Sequence, residues 1–272
     1  MTLAPARLSL CLVVRNAASE LRRTLASLEA QRSGLQALPA EVVVVDGDSN
    51  DGSRELAERW AVRSGLRASC HQQAPQGIYP AMNLAWRQAT GDWLLFINAG
   101  DLLLNASGLA GILTAADRDG IDSLQCRAAI FPPGCRWASA SRQGPAYCHQ
   151  SLLYRRHLHQ SLGPYDTRLG LCADLLLIRA LERGRHRQVP HLLAATQVSP
   201  ANASRTPWRV REDLQRLQQE CIPLKPWPSP RQTLLVLGLE ERLGMSLTVW
   251  LRVAFALLRG SSQLIRLPDA RL

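Results

Sequence analysis

The sequence predicts an α/β fold in which a mostly parallel central sheet is covered by helices on both faces. In the first half of the 272-residue chain, continuous runs of Val, Leu and Ile alternate with amphipathic stretches. This is the pattern of buried parallel strands joined by helices. Hydrophobic residues make up 46% of the chain and charged residues 20%, which excludes a disordered or low-complexity chain. No uncharged apolar run reaches the roughly 20 residues of a spanning helix, which excludes a multi-pass membrane protein.

The elements of the first half are predicted in order from their apolar periodicity. They are a strand at Leu8–Val14, a helix at Ala17–Gln31, a strand at Glu41–Val45, a helix at Asp51–Arg63, a strand at Leu66–Cys70, a helix at Pro80–Ala89 and a strand at Asp92–Ile97. This alternation is Rossmann-like.

The pattern changes from about Ile121. Strand-like segments at Ser123–Phe131 and Ala146–Tyr154 flank a Pro132-Pro133-Gly134 turn, and a helix follows at about Cys172–Glu182. The last seventy or so residues are expected to be mostly helical, with proline breaks.

The net charge indicates the class of partner. The chain carries 32 Lys and Arg against 22 Asp and Glu, a formal net charge of +10, which favours an anionic partner. No nucleic-acid recognition helix or aromatic–basic platform is present, so we expect no nucleic-acid partner.

The seven Cys form no CxxC pair, which predicts free thiols in a reducing compartment and no zinc site. The apolar run Leu8–Val14 lacks the flanks of a signal peptide, so we expect a cytoplasmic protein.

Polar side chains follow three predicted strands at the point where each strand ends. The first strand is followed by Asn16, the second by Asp46 and Asp48, and the third by Asn98 and Asp101. In a parallel sheet, ligands bind beyond these carboxyl ends, where carboxylates can orient a nucleotide or a divalent metal with its diphosphate.

Helix capping is the alternative explanation for some of these carboxylates. Asp48 and Asp51 stand where they would cap the next helix, and for Asp51 we favour the cap. Neither Asp46 nor Asp101 is needed to start a helix, so a function is favoured for both. The chain has no GxGxxG after the first strand and no GxxxxGK[ST], which argues against a dinucleotide dehydrogenase and a P-loop NTPase.

Four ordered stretches resemble a known family. They are Ser9–Asn16, Glu41–Ser53 (EVVVVDGDSNDGS), Gln76–Asp101 (QGIYPAMNLAWRQATGDWLLFINAGD) and Cys148–Gly184, which contains CHQSLLYRR and GPYDTRLGLCADLLLIRALERG. Over roughly residues 8–196 the chain resembles the family 2 glycosyltransferases with the GT-A fold, in particular bacterial enzymes of polysaccharide assembly. The resemblance implies a GT-A domain at 1–200, with a donor-nucleotide half at 1–120, an acceptor half at 121–200, and a C-terminal helical extension at 201–272.

The resemblance also implies the role of each site residue. Asn16, Asp46 and Asp48 would contact the nucleoside of a UDP-, GDP- or dTDP-sugar. The segment from Asn98 to Asp101 stands at the family's DxD-type element, so Asp101 would bind Mg²⁺ or Mn²⁺ that bridges the diphosphate. Asp174 matches the catalytic base that deprotonates the acceptor hydroxyl in one inverting displacement.

Further residues have two interpretations. Asp174 is either this base or a carboxylate favoured at a helix start by the macrodipole, and its apolar neighbours favour the base. His149 either contacts the diphosphate or the acceptor, or is a structural histidine. Tyr79 and Asn83 are predicted to contact the sugar or the diphosphate. The family subgroup usually has acidic residues where this chain has Pro75 and Pro80, which keeps a catalytically inactive sugar-nucleotide-binding or assembly protein as an alternative.

The C-terminal segment offers a second kind of contact. In LTVWLRVAFALLRGSSQLIRL, Arg252, Arg259 and Arg266 are seven residues apart and share one stripe if a helix persists past Gly260-Ser261-Ser262. Such a helix either lies in an anionic membrane interface, next to a lipid-linked glycan acceptor on the inner face of the plasma membrane, or packs on the catalytic domain.

Overall fold

The strands and helices of the protein are taken from a computed structural model that describes residues 6–132, 135–141, 148–170, 172–198, 212–213, 215–217, 254, 258 and 262–267. The strands are β1 (Leu8–Val14), β2 (Ala40–Asp46), β3 (Arg67–Gln72), β4 (Trp93–Phe96), β5 (Leu102–Leu103), β6 (Ser123–Phe131), β7 (Trp137–Ser141), β8 (Leu152–Arg155), β9 (His186–Gln197) and β10 (Ser262–Arg266). The helices are α1 (Ala18–Ala30), α2 (Arg32–Ala37), α3 (Ser53–Arg63), α4 (Ile78–Gln88), α5 (Leu109–Arg118), α6 (Leu158–Leu162) and α7 (Ala173–Glu182).

These ten strands form one sheet. Its main path runs β10-β7-β6-β8-β4-β1-β2-β3, while β9 pairs with β5 and β6. The four strands from β4 to β3 are mutually parallel, and β8 pairs antiparallel with both β4 and β6. In the order of strands across the sheet, the mixed half therefore begins at β8, whereas along the chain the sequence pattern changes earlier, just before β6.

Alternate residues of β1 enter two separate cores, as the strand period of two requires. Leu10 and Leu12 pack in one core with side chains of α1, α3 and α5, whereas Cys11 and Val13 pack in the other with side chains of α4 and α7. Every residue of β1 is buried. This explains the continuous apolar run, because a strand covered on both faces has no solvent-facing side.

Most elements of the first half are confirmed, with ends that differ by no more than two residues. The predicted strand at Ala146–Tyr154 is wrong at its start, because residues 149–151 form a 3₁₀ turn and the strand begins at Leu152. The condition for the arginine stripe, a helix that persists to Arg266, is not met, since β10 pairs antiparallel with β7 there. Tertiary pairing has outweighed local helical preference. Arg252 and Arg259 lie outside the described residues.

The six described cysteines are free, in agreement with the prediction, and Cys221 lies outside the described residues. Among the described residues, none of the helices is both long and apolar enough to traverse a membrane.

A buried polar network joins the amino-terminal ends of the strands. The Glu41 carboxylate accepts hydrogen bonds from Ser9 Oγ at 2.6 Å and from the backbone N–H of Thr90 at 2.6 Å, and Gly91 N–H donates to Ser9 Oγ at 2.8 Å. Arg67 Nε lies 3.3 Å from the same carboxylate. The turn before β4 is thereby held directly against β1.

Replacing Gly91 with Ala is expected to lower the free energy of unfolding by about 1–3 kcal/mol, as overpacking does. A Cβ at this position would lie 2.7 Å from both the backbone N and the Oγ of Ser9, and the β1 backbone is fixed by its pairing. Urea unfolding measures the change. Gly111→Ala is the matched control, because a Cβ there meets nothing within 4 Å and the residue is inside α5, where Ala is favoured over Gly. Equal stability of the two variants would contradict this packing.

Candidate functional site

The carboxyl ends of β1, β2 and β4 lie side by side at one edge of the sheet. Val14 pairs with Asp46, and Cys11 pairs with Phe96. Beyond the strands, Gly47 N–H donates to Val14 O at 2.8 Å. The structure therefore brings the three predicted polar segments to the same edge, because strands that pair in parallel have their carboxyl ends on the same side of the sheet.

Asp46 has a free carboxylate oxygen in a buried position. The residue is only 3% exposed, and its Oδ1 accepts from Ser49 N–H at 2.8 Å. Its Oδ2 is buried and has no partner among the described residues. The residue lines a small cleft with Arg54, His71 and Gln72. A buried acceptor without a donor is costly, so Oδ2 is suited to a ligand N–H or O–H.

Asn16 and Asp48 shape the two exposed loops beside Asp46. Both have positive φ, 47° and 65°, a conformation that Asn and Asp tolerate better than other side chains. Asn16 Oδ1 accepts from Asn50 N–H at 2.9 Å, and Asp48 Oδ1 accepts from Gln72 Nε2 at 2.8 Å. Both side chains therefore tie loops together at the edge of the cleft.

Asp51 contacts the first turns of two helices, although the N-cap of α3 is the next residue, Gly52, and not Asp51 as predicted. Its carboxylate accepts from Ala18 N–H at 2.9 Å and from Ser53 N–H at 3.1 Å. One side chain thus serves the first turns of both α1 and α3.

Asp101 is buried in a polar pocket after β4. It is 4% exposed, and its Oδ2 accepts from Asn98 N–H at 3.1 Å. Burial raises the pKa of the Asp101 carboxyl to about 7, although hydrogen bonds from Gln150, Thr196 and the Gln197 backbone act in the opposite direction. Gln150 comes from the 3₁₀ turn, inside the CHQSLLYRR stretch, whereas Thr196 and Gln197 come from β9, which no motif in the sequence singled out.

The residues after β4 fit a divalent cation that is shared with a diphosphate. Besides the Asp101 carboxylate, Asn98 offers a buried Oδ1 without a partner among the described residues. The described residues contain no cluster of three His, Cys, Asp or Glu side chains. Mg²⁺ is commonly held by one or two carboxylates together with substrate phosphates, so this oxygen set fits such an ion and not a cage made by protein alone.

Asp174 lies in the first turn of α7 and contacts Tyr79 of α4. Tyr79 Oη donates to Asp174 Oδ1 at 2.9 Å, and Leu175 N–H donates to the same oxygen at 3.0 Å. Burial raises the pKa of the Asp174 carboxyl to about 6, while the Tyr79 hydrogen bond lowers it. The position just before α7 is held by Asp213, whose carboxylate accepts from Gly170 N–H and Cys172 N–H, each at 3.0 Å.

Two predicted contact residues are engaged within the protein. His149 is on the 3₁₀ turn, where its ring stacks on Phe96 at 5.3 Å and its Nε2 lies 2.9 Å from Tyr165 Oη. Burial lowers the pKa of His149 to about 4. Asn83 uses both ends of its amide on Tyr165: Nδ2 donates to the backbone O at 2.9 Å, and Oδ1 accepts from the N–H at 2.8 Å.

Tyr165 is the residue that sequence reasoning missed. It stacks on Tyr79 at 5.6 Å, is hydrogen-bonded to His149 and is clamped by Asn83. It therefore connects three predicted residues that are far apart in the sequence. It lies in the GPYDTRLG part of a stretch that carries the family resemblance, but its position between Pro164 and Asp166 is typical of a turn, and no role was assigned to it.

The two proline departures occupy different environments. Pro75 is exposed in the loop between β3 and α4, whereas Pro80 is the third residue of α4, where the first turn tolerates proline. Neither disrupts the helix that carries Tyr79.

Comparisons with known proteins agree with one another. A family model described as Glycosyl transferase family 2 matches residues 9–173. A relative from Mycobacterium tuberculosis strain H37Rv, named "PGL/p-HBAD biosynthesis glycosyltransferase Rv2957", is 33% identical over 172 residues, which is 61% of this chain and 66% of that protein. The match thus spans slightly less than two thirds of the relative's length.

Solved structures share the fold at low sequence identity. The mannosyltransferase PcManGT from Pyrobaculum calidifontis, in complex with GDP-Man and Mn²⁺, has a TM-score of 0.61 at 20% identity and covers 95% of this chain and 77% of its own. S. aureus TarS 1-349 in complex with UDP has a TM-score of 0.59 at 18% identity and covers 86% of this chain and 71% of its own.

Proposed function

This chain belongs to glycosyl transferase family 2 and has the mixed α/β architecture of the GT-A glycosyltransferases, and we propose that it is an inverting, metal-dependent enzyme. It transfers a sugar from a nucleotide-sugar donor to a glycan or lipid-linked acceptor. The observation that carries this proposal is a pair of carboxylates with different partners: the buried Asp101 after β4, which accepts from Asn98 N–H, and the half-buried Asp174 at the start of α7, which accepts from Tyr79 Oη. These different surroundings support different roles for the two acids.

The nucleoside of the sugar donor binds at Asp46, between Asn16 and Asp48. The unpartnered Asp46 Oδ2 accepts an N–H from the base. Uracil, thymine and guanine each carry a ring N–H, whereas cytosine has an acceptor at the matching ring nitrogen and offers an N–H only from its exocyclic amine, which is placed differently. The loops held by Asn16 and Asp48 border the nucleoside.

The diphosphate and its cation bind at Asn98 and Asp101. These two residues would hold Mg²⁺ or Mn²⁺ through oxygen atoms, and the ion would offset the negative charge that develops on the leaving diphosphate. Relatives of the fold have been solved with Mn²⁺, which supports the choice of cation.

Asp174 acts as the general base. Its carboxylate takes the proton of an acceptor hydroxyl, whose oxygen attacks the anomeric carbon as the bond to the diphosphate breaks. One displacement inverts the anomeric centre, so no protein nucleophile is required. Tyr79 orients the carboxylate through its 2.9 Å hydrogen bond, and Asn83 acts indirectly by fixing Tyr165.

The glycan is one of those assembled at a bacterial cell surface, in keeping with the relatives named for PGL/p-HBAD biosynthesis. The reaction takes place on the cytoplasmic side, and the net charge of +10 favours contact with an anionic membrane surface, where lipid-linked acceptors are located.

Thermal unfolding with nucleotides tests the binding step. We expect one of UDP, GDP or dTDP to raise the Tm in the presence of Mn²⁺, and CDP to have no comparable effect. Asp46→Asn is expected to remove this preference, because an amide can also donate to cytosine. Stabilisation by CDP as strong as by the other nucleotides in the wild type would contradict the role of Asp46.

A transfer assay with the nucleotide sugar of the selected base completes the test. Stabilisation by nucleotide and Mn²⁺ without transfer to any acceptor would favour the inactive sugar-nucleotide-binding protein, for which Pro75 and Pro80 are the sequence argument.

A further inference from the structure

Four buried aromatic side chains form a continuous hydrogen-bonded series, here called the aromatic chain: His149, Tyr165, Tyr154 and His159. His149 Nε2 lies 2.9 Å from Tyr165 Oη, Tyr165 Oη lies 3.0 Å from Tyr154 Oη, and Tyr154 Oη lies 2.9 Å from His159 Nε2. The series ends where His159 Nδ1 lies 3.1 Å from the carbonyl oxygen of Gly163. All four side chains are at most 6% exposed.

The last member fixes the direction of every bond. A carbonyl only accepts, so His159 Nδ1 carries a proton. Burial lowers the pKa of His159 to about 4, so the ring is neutral and its Nε2 is an acceptor. Tyr154 therefore donates to His159, and Tyr165 donates its single proton to Tyr154. In the remaining hydrogen bond, His149 Nε2 therefore carries a proton and donates it to Tyr165 Oη.

The reverse arrangement at His149 is unfavourable. If Tyr165 donated to His149 Nε2, the two tyrosine oxygens would lie 3.0 Å apart with no proton between them, inside the core. Both phenol pKa values are raised well above the ordinary value by burial, so neither hydroxyl loses its proton to relieve this. Unpaired buried acceptors of this kind are costly.

We propose that the aromatic chain holds His149 as the Nε2–H tautomer and so presents an unprotonated Nδ1 to the reaction cleft. Nδ1 has no hydrogen-bond partner among the described residues. It is also not among the fully buried polar atoms that lack a partner, so this nitrogen is not completely enclosed. The ring stacks on Phe96 near the end of β4, and the next residue, Gln150, is hydrogen-bonded to Asp101. The identity of the cleft rests on the proposed function.

The tautomer determines what His149 can contact. An unprotonated nitrogen repels the oxygens of a diphosphate and accepts from a hydroxyl, so we assign a sugar hydroxyl to Nδ1 and exclude a direct bond to phosphate. Tyr154 and His159 are positioning residues, since they act on His149 through Tyr165. Which saccharide carries the hydroxyl, donor or acceptor, does not change the chemistry.

Long-range ¹H–¹⁵N correlation spectra of ¹⁵N-histidine-labelled protein, recorded without nucleotide, test the tautomer. We expect His149 protonated at Nε2 and His159 protonated at Nδ1, with each signal assigned by its loss in His149→Gln and His159→Gln. In Tyr154→Phe, Tyr165 loses its acceptor and is free to donate to His149, so the Nδ1–H form of His149 is expected to become the major one. A wild-type His149 protonated at Nδ1 would overturn the proposal.

Tyr79→Phe is the matched control. It also removes one hydroxyl next to Tyr165, but that hydroxyl lies outside the aromatic chain, so the His149 tautomer is expected to stay unchanged. His159→Phe is a second variant that frees Tyr154 to donate to Tyr165 and is expected to shift His149 in the same way. An unchanged tautomer in the folded Tyr154→Phe and His159→Phe proteins would also overturn the proposal. Because no substrate is present, these results are independent of whether the protein transfers sugar.

Discussion

Replacing Asp174 with Asn is expected to lower kcat for sugar transfer by roughly 10²–10⁴-fold, the usual contribution of a positioned general base. Asn is close in size and keeps an oxygen that can accept from Tyr79 and from Leu175 N–H, so the start of α7 is retained. The measurement is the initial rate with a saturating nucleotide sugar. Nucleotide and Mn²⁺ binding is expected to be unchanged, because Asp174 does not belong to the residues proposed for the sugar donor.

The pH dependence separates a base from a merely structural carboxylate. With a pKa of about 6, Asp174 is ionised above that pH, so kcat is expected to fall about tenfold per unit below it. Tyr79 lowers this pKa by donating to the carboxylate, and Asp213 raises it. In Tyr79→Phe the acid limb is therefore expected to move to higher pH.

Stability provides the control for the Asp174 variant. A carboxyl whose pKa is raised by folding stabilises the native state only while protonated, and that contribution is lost as the pH rises from about 4 through 6. Above pH 6, Asp174→Asn is thus expected to unfold at an equal or higher temperature than the wild type. An unaltered kcat, or a loss of rate that only follows a loss of fold, would rule out the role of base.

Replacing Asp101 with Asn is expected to abolish the stabilisation that a nucleoside diphosphate and Mn²⁺ provide together. A ligand at 100 times its Kd adds about 2.7 kcal/mol, which corresponds to a rise in Tm of about 5–10 °C for a chain of this size. The variant is expected to lose this rise, because Asp101 is the only negatively charged member of the proposed pair of ligands, and an amide cannot replace its charge. Thermal unfolding with the nucleotide, with and without Mn²⁺, measures the loss.

Asp92→Asn is the control for the Asp101 variant. Asp92 lies at the opposite end of β4 from Asp101 and is exposed. Asp92→Asn changes the net charge by the same amount as Asp101→Asn but leaves the proposed cation site intact. Its Mn²⁺-dependent rise in Tm is therefore expected to equal that of the wild type. A full rise in Asp101→Asn would show that the cation is held elsewhere.

The sheet edge could be predicted from the sequence because the chemistry is local. A buried parallel strand fixes where its last residue lies, so Asp46, Asn98 and Asp101 were placed together from three apolar runs alone. The contact of Asp51 with the start of α3 followed in the same way from its position before a helix, although the N-cap itself is Gly52.

The side-chain contacts around Tyr165 and Asp174 could not be predicted, because the residues involved meet only through tertiary contacts. Asn83 and Tyr165 are 82 residues apart, and Tyr79 and Asp174 are 95 apart. No periodicity connects such pairs. The 3₁₀ turn at His149 escaped prediction for a related reason, since its ring packs on Phe96 of a strand more than fifty residues earlier.

The hydrogen bonds of Asp213 and the pairing of β10 with β7 bear on how chimeric enzymes can be built from this chain. Asp213 supplies the acceptor for two backbone N–H groups just before Asp174, and β10 covers the outer side of β7. The surroundings of Asp174 and the β7 edge of the sheet are therefore assembled from stretches on both sides of residue 200. A graft of residues 121–200 into a relative would carry Asp174 without the carboxylate that anchors its helix, so we expect the geometry around Asp174 to be kept only when the later segment is grafted with it.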